Sequence, residues 1–205
     1  QTRHPHDVAA DHHQEFSARR QRQLPHLDPV IPRRPEQAEL LRAQGVAHVV
    51  DSSASTFLDD LTAALVETRA TIAFDAIGGG KLAGQILGCM EAAANAKGGE
   101  YSRYGSDVYK QVFVYGGLDR GPTELTRNFG MSWGLNWWLL TPFLGKLGLE
   151  GMMRLRQRVV AELTTTFASH YTDQVSLAGA LDIAAIQAYA KQATGQKFLI
   201  CPMTA

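Results

Sequence analysis

TIAFDAIGGG, residues 71–80, is the stretch whose reading decides the fold. Thr71, Ile72, Ala73 and Phe74 form an uncharged, partly β-branched run, which predicts a strand buried on both faces. Asp75 closes the run, and Gly78, Gly79 and Gly80 follow almost at once. The next stretch, KLAGQILGCMEAAANA, predicts a helix with Leu82, Ile86, Cys89, Met90 and Ala93 along one side. Strand, glycine turn and helix is the layout that lets backbone N–H groups approach a phosphate or a ribose closely. Gly78, Gly80 and Ala83 satisfy the loose spacing G-x-G-x-x-A. Glycine serves any tight turn, so on this stretch alone a plain turn stands beside the ligand reading.

The 205 residues suffice for one large domain or parts of two. Twenty Lys and Arg balance twenty Asp and Glu, so neither a nucleic-acid backbone nor an anionic membrane is expected as a partner. Cys89 and Cys201 lie far apart in apolar runs, and buried reduced thiols in a cytoplasmic setting are expected. Neither C-x-x-C nor H-E-x-x-H occurs, and no metal site is expected.

Residues 1–32 differ in texture from everything that follows. They concentrate His4, His6, His12, His13 and His26 with Arg3, Arg19, Arg20 and Arg22, and they carry Pro5, Pro25, Pro29 and Pro32. No carboxylate or cysteine framework fixes these histidines, so the stretch reads as a solvated, irregular leader. Phe16 is its single aromatic, which leaves no stacking platform for single-stranded nucleic acid. The chain opens on Gln1 without a signal-peptide pattern and reads as a piece of something longer.

From Arg33 an α/β alternation begins. Pro35 suits a first helical turn, EQAELLRAQ continues it with Leu40 and Leu41 inward, and Gly45 stops it. Residues 46–50 predict a short strand, and Ser55 or Thr56 caps a helix packed through Phe57, Leu58, Leu61, Leu65 and Val66. After the opening strand, turn and helix comes a polar loop. QVFVY, residues 111–115, then predicts a second buried strand, ended by Gly116, Gly117, Leu118 and Asp119. Successive β–α units of this length imply a parallel sheet, whose ligands bind beyond the carboxyl ends of the strands. Both glycine turns fall at that edge.

Residues 128–145 carry no charge and include Trp133, Trp137, Trp138, Leu139, Leu140 and Phe143. Asn136, Pro142 and several glycines interrupt the run, so it reads as packing or subunit contact rather than a membrane span. Residues 149–166 predict an amphipathic helix with Arg154, Arg156 and Arg158 on its wet side. Ser176 caps a last helix stopped by Gly195, and KFLICP, residues 197–202, predicts a terminal strand.

Four stretches in this order, residues 33–53, 71–80, 111–119 and 176–202, resemble the carboxyl-terminal half of the medium-chain dehydrogenase/reductase superfamily. The nearest branch is the zinc-independent, quinone-oxidoreductase-like one. The resemblance implies a partial Rossmann-like parallel sheet with flanking helices, over residues 33–160. Residues 161–205 would return to a catalytic domain that this sequence does not contain. It further implies that Arg33 and Arg34 stand beside the adenosine ribose, where a basic residue favours NADP over NAD. Ala76, Ile77 and Gly78 would line the nicotinamide-ribose side, with Gly116 and Gly117 presenting backbone to the cofactor. Residues 129–133 would form the loop that follows, near the nicotinamide or at a subunit contact. No catalytic residue is assigned, because in this superfamily the hydride chemistry belongs to the cofactor.

The departures from the family are equally specific. Its first nucleotide-binding strand and pyrophosphate turn should precede Arg33, but LPHLDPVIP, residues 24–32, carries three prolines there. Losing that strand would leave a gap at the centre of the sheet. A leader of non-homologous origin, such as one read in a shifted frame, is the expectation. The function implied is the cofactor-binding half of a truncated NAD(P)H-dependent oxidoreductase acting on a quinone or other small carbonyl compound. The alternative is an inactive remnant that keeps only an oligomerisation surface around Trp133 and Phe143.

Overall fold

The computed structural model describes residues 28–96, 102–168, 171–190 and 197–203. The five leader histidines and the expected helix stop at Gly195 lie outside the described residues. The chain divides into two compact units, one up to Trp138 and one from Leu139, whereas the sequence reading sets the division after residue 160.

In the first unit, α1 (Pro35–Ala43) starts on Pro35, whose fixed φ suits a first turn, and ends before Gly45 at φ +82°. Its buried residue is Ala38. Leu41 lies three positions on and shares that face, which turns Leu40 outward, contrary to the expectation that both leucines point in. Residues 46–50 do not form a regular strand either. One parallel bridge joins Val49 to Val30, with Val30 N–H donating to the His48 carbonyl at 2.9 Å and Val50 N–H to the Val30 carbonyl at 3.0 Å. Pro29 and Pro32 bracket the bridge and have no N–H with which to lengthen it. Pairing thus begins inside the stretch read as irregular.

α2 (Phe57–Thr68) buries Phe57, Leu61, Ala64 and Leu65. β1 (Ile72–Asp75), α3 (Leu82–Asn95), β2 (Lys110–Val114) and β3 (Trp133–Trp137) follow. The three strands are parallel in the order β1-β2-β3, with Ala73, Val112 and Leu135 in one row and Phe74, Phe113 and Asn136 in the next. α3 packs on β1 and β2, and α2 packs on α3. Leu61, Leu87, Met90, Val112 and Phe129 form the centre of this core. Each buried side-chain nitrogen or oxygen among the described residues has a hydrogen-bond partner.

The strand at residues 71–75 is covered on one face only, which corrects the expectation of burial on both. The row of Phe74 faces away from α3, and Phe74 itself is 53 % exposed. Its ring stacks on Phe113 with centroids 5.5 Å apart and meets Trp138 edge-on. Both packed helices belong to the core that takes Ala73 and Val112, so the aromatic row shields itself.

In the second unit, α4 (Leu140–Ala161) is two helices joined across Gly148. The latter half begins where the amphipathic helix was expected, yet Met153, Leu155, Val159 and Val160 are exposed along with its three arginines. Its apolar side is therefore not buried. β4 (Asp173–Ser176) pairs in parallel with β5 (Phe198–Cys201), the latter at the expected terminal strand. The single helix expected after Ser176 is broken at Asp182, whose backbone is extended. A 3-10 turn at Gly179–Leu181 precedes that break, and α5 (Ile183–Ala190) follows it. Ser176 Oγ accepts the Gly179 N–H at 3.0 Å and so ties down the turn instead of the helix. Among the described residues, no helix is long and apolar enough to cross a membrane.

Candidate functional site

Because β1 and β2 are parallel, the chain leaves both strands at the same edge of the sheet. Tyr115 N–H donates to the Asp75 carbonyl at 2.9 Å and draws the two exits together. Ala76, Ile77, Gly78, Gly116 and Gly117 meet on this rim. A Cβ on Gly78 would stand 2.7 Å from the Gly116 carbonyl oxygen, and one on Gly116 would overlap the Ala76 carbonyl. Gly78 also sits at φ +83°, a conformation that costs an L side chain dearly.

Two carboxylates hold the turn. Asp75, only 2 % exposed, accepts the Ile77 N–H at 2.7 Å and the Gly78 N–H at 3.3 Å. Asp119 accepts the Gly121 N–H at 2.7 Å and lies over Gly79, where a Cβ would come 2.8 Å from its Oδ1. The second turn is laced to the first by four further bonds. Asp119 N–H donates to the Ile77 carbonyl at 2.9 Å, and the Thr123 hydroxyl to the Gly78 carbonyl at 2.6 Å. Gly80 N–H donates to the Pro122 carbonyl at 2.9 Å and its carbonyl accepts the Glu124 N–H at 2.8 Å.

This lacing narrows one reading of the glycine motif. The amides of Gly78 and Gly80 are donated inside the chain and are not open to a phosphate. The Glu124 carbonyl also crowds the first turn of α3, 2.9 Å from where a Cβ on Gly84 would be. The amides of Gly116 and Gly117 are donated to no acceptor among the described residues, and Gly117 borders open space. The rim therefore offers close backbone approach and two open donors.

Arg33 and Arg34 lie at the corner before α1. Both are exposed, and the Arg34 carbonyl opens the helix by accepting from Gln37 and Ala38. No ion pair engages either guanidinium among the described residues. Behind the sheet, Lys110 Nζ lies 2.6 Å from Glu91 Oε2 with both side chains buried. Glu91 also accepts from Ser106 N–H, Ser106 Oγ and Asn95 Nδ2. Burial alone pushes the Glu91 carboxyl up, but Lys110, Ser106 and Asn95 together hold it down at about 2. Burial pushes the Cys89 thiol up, which leaves it unreactive. Among the described residues, no group of three or more His, Cys, Asp or Glu side chains could hold a metal ion.

Sequence reasoning missed Asp75, Asp119 and Thr123. An aspartate two residues before a turn amide is a readable signal, since such side chains bond their own backbone two residues on. The Thr123 contact spans 45 residues and leaves no local trace.

A parallel sheet with glycine turns at one carboxyl edge defines a partial Rossmann-like α/β fold, and comparison with solved structures agrees. A protein assigned as an NADPH:quinone reductase from Mesorhizobium loti matches with a TM-score of 0.59 and 23 % identity, over 85 % of this chain and 45 % of its own. The CurK enoyl reductase matches at 0.50 with 11 % identity over 84 % and 47 %. A mutant enoyl thioester reductase from Candida tropicalis matches at 0.51 with 14 % identity over 83 % and 45 %. The chain spans under half the length of each of these structures. No family model matches the chain, and no curated protein matches it.

Proposed function

We propose that this chain is the cofactor-binding half of an NADP(H)-dependent oxidoreductase of the quinone- or enone-reductase type. In this reading it belongs to the zinc-independent branch of the medium-chain dehydrogenase/reductase superfamily. The observation that carries the reading is the rim: two glycine turns from adjacent parallel strands, touching, at the edge where such sheets take their ligands. The fold neighbours named as NADPH:quinone and enoyl reductases support the choice of chemistry.

The residues present fit such a cofactor at its nicotinamide end. Gly78 and Gly116 bring bare backbone to the rim beside Ala76 and Ile77, where a flat ring and ribose would lie, and the open amides of Gly116 and Gly117 supply donors. NADPH, when bound, supplies the hydride. Arg33 and Arg34 would pair with its 2′-phosphate, a charge-assisted contact that NAD cannot make. The substrate is a quinone or other small carbonyl compound, and residues 161–205 return to the domain that binds it. The raised, buried thiol of Cys89 is compatible with a reducing cytoplasm.

Calorimetric titration of the purified full-length protein tests the reading. Saturable binding of NADPH, tighter than NADH, is the expected result. No binding of either at millimolar concentration would remove it.

A second reading keeps only assembly. Trp137 is 71 % exposed on β3, one of the two edge strands of the three-stranded sheet, and Leu139 and Leu140 are exposed just after it. An oligomerisation module would self-associate without cofactor. A strictly monomeric species in light scattering counts against it.

A further inference from the structure

We propose that Asp75 is a positioning residue of the rim, with Thr123 as its counterpart across the second turn; this rests on the cofactor reading above. Asp75 is one of the few fully buried polar side chains among the described residues, and it closes β1 instead of facing solvent. Its two oxygens take the two consecutive amides that follow the strand, Ile77 at 2.7 Å and Gly78 at 3.3 Å. With both amides turned down onto the carboxylate, the carbonyl of the Ile77–Gly78 peptide points the other way, and it and the next carbonyl, that of Gly78, meet the second turn. Asp119 N–H takes the first and the Thr123 hydroxyl the second. The peptide planes that would face a ligand are thus set from beneath by one side chain and from the side by another. The φ of Gly78 and the close approach of Gly116 follow from that setting. Neither Asp75 nor Thr123 is placed to touch a reacting atom, so the role is exercised through the backbone.

Asp75→Asn keeps the volume and one acceptor but turns an NH2 toward an N–H donor. Thr123→Val keeps the shape of an exposed side chain and removes the bond to Gly78. Two readouts separate positioning from general damage. The first is amide hydrogen exchange at Ile77 and Gly78 without cofactor. The second is the affinity for NADPH set against that for adenosine 2′,5′-bisphosphate, which carries the 2′-phosphate but lacks the nicotinamide half that the proposal sets on the rim.

Loss of one such hydrogen bond is worth up to about tenfold. The expected result is about tenfold faster exchange at Ile77 in Asp75→Asn and about tenfold weaker NADPH binding in both variants. Adenosine 2′,5′-bisphosphate affinity should stay within about twofold. Unchanged exchange at Ile77, unchanged NADPH affinity, or a parallel loss of both ligands would each overturn the role. A wild-type protein that binds neither ligand overturns the cofactor reading itself, and the role falls with it. Wild-type binding with unaltered variants overturns the role alone.

Discussion

The Cβ that Gly116 lacks is a single methyl group, and the structure has no room for it against the Ala76 carbonyl. Gly116→Ala should therefore cost about 1–3 kcal/mol, as overpacking does, read as a lower urea midpoint at unchanged slope. The same substitution at Gly117, which borders open space, should leave the midpoint nearly unmoved. Glu91 carries the second residue-scale prediction. Its folded-state carboxyl lies at about 2, below the ordinary glutamate value of 4.5, so the native state binds the proton less readily than the unfolded chain. The stability it contributes is fully present above about 4.5 and is lost as pH falls from there toward about 2. Glu91→Gln should remove that acid dependence. It should also destabilise the protein at neutral pH by about 3–5 kcal/mol, because Lys110 is left buried without its partner. Thermal melts across pH 2–7 of both proteins check the sign.

Among the elements, α3 carries the first unit. It touches β1, β2 and α2, and its Leu87 has no solvent exposure at all. Leu87→Ala should cost about 2–5 kcal/mol by calorimetry or urea titration. Leu82, partly buried at the start of the same helix, should cost less. α3 was legible because its apolar residues recur at helical spacing over a long run, a signal that local context hardly alters. β1 and β2 were legible for a similar reason: short uncharged runs punctuated by glycine. β3 was not. WGLNW alternates Trp133, Leu135 and Trp137 with Gly134 and Asn136, but glycine and asparagine are poor strand formers, and it becomes a strand because β2 offers it a partner in register from Lys110 to Val114. The strand expected at residues 46–50 failed for the mirror reason. Its partner at Val30 is flanked by prolines, so a β-prone run found one bridge and no ladder.

For the whole molecule, the decisive experiment couples the arginine corner to the glycine rim through one ligand. If Arg33 and Arg34 pair with the 2′-phosphate as proposed, Arg33→Glu with Arg34→Glu should weaken NADPH by about a hundredfold while leaving NADH within about threefold, since two charge-assisted contacts would be lost. Isothermal titration gives both numbers, and equal losses for the two cofactors would mean that the corner does not read the phosphate. From the sequence alone came the α/β class, the parallel sheet and the carboxyl-edge placement of both glycine turns. All of these follow from local periodicity and from the rule that short β–α units run parallel. The tertiary structure decided what those turns do with their hydrogen bonds. Asp75 takes the Gly78 amide, the Pro122 carbonyl takes that of Gly80, and the Thr123 hydroxyl donates to the Gly78 carbonyl across 45 residues. A backbone donor looks identical in the sequence whether it faces a ligand or its own chain, and only folding settles which acceptor it meets.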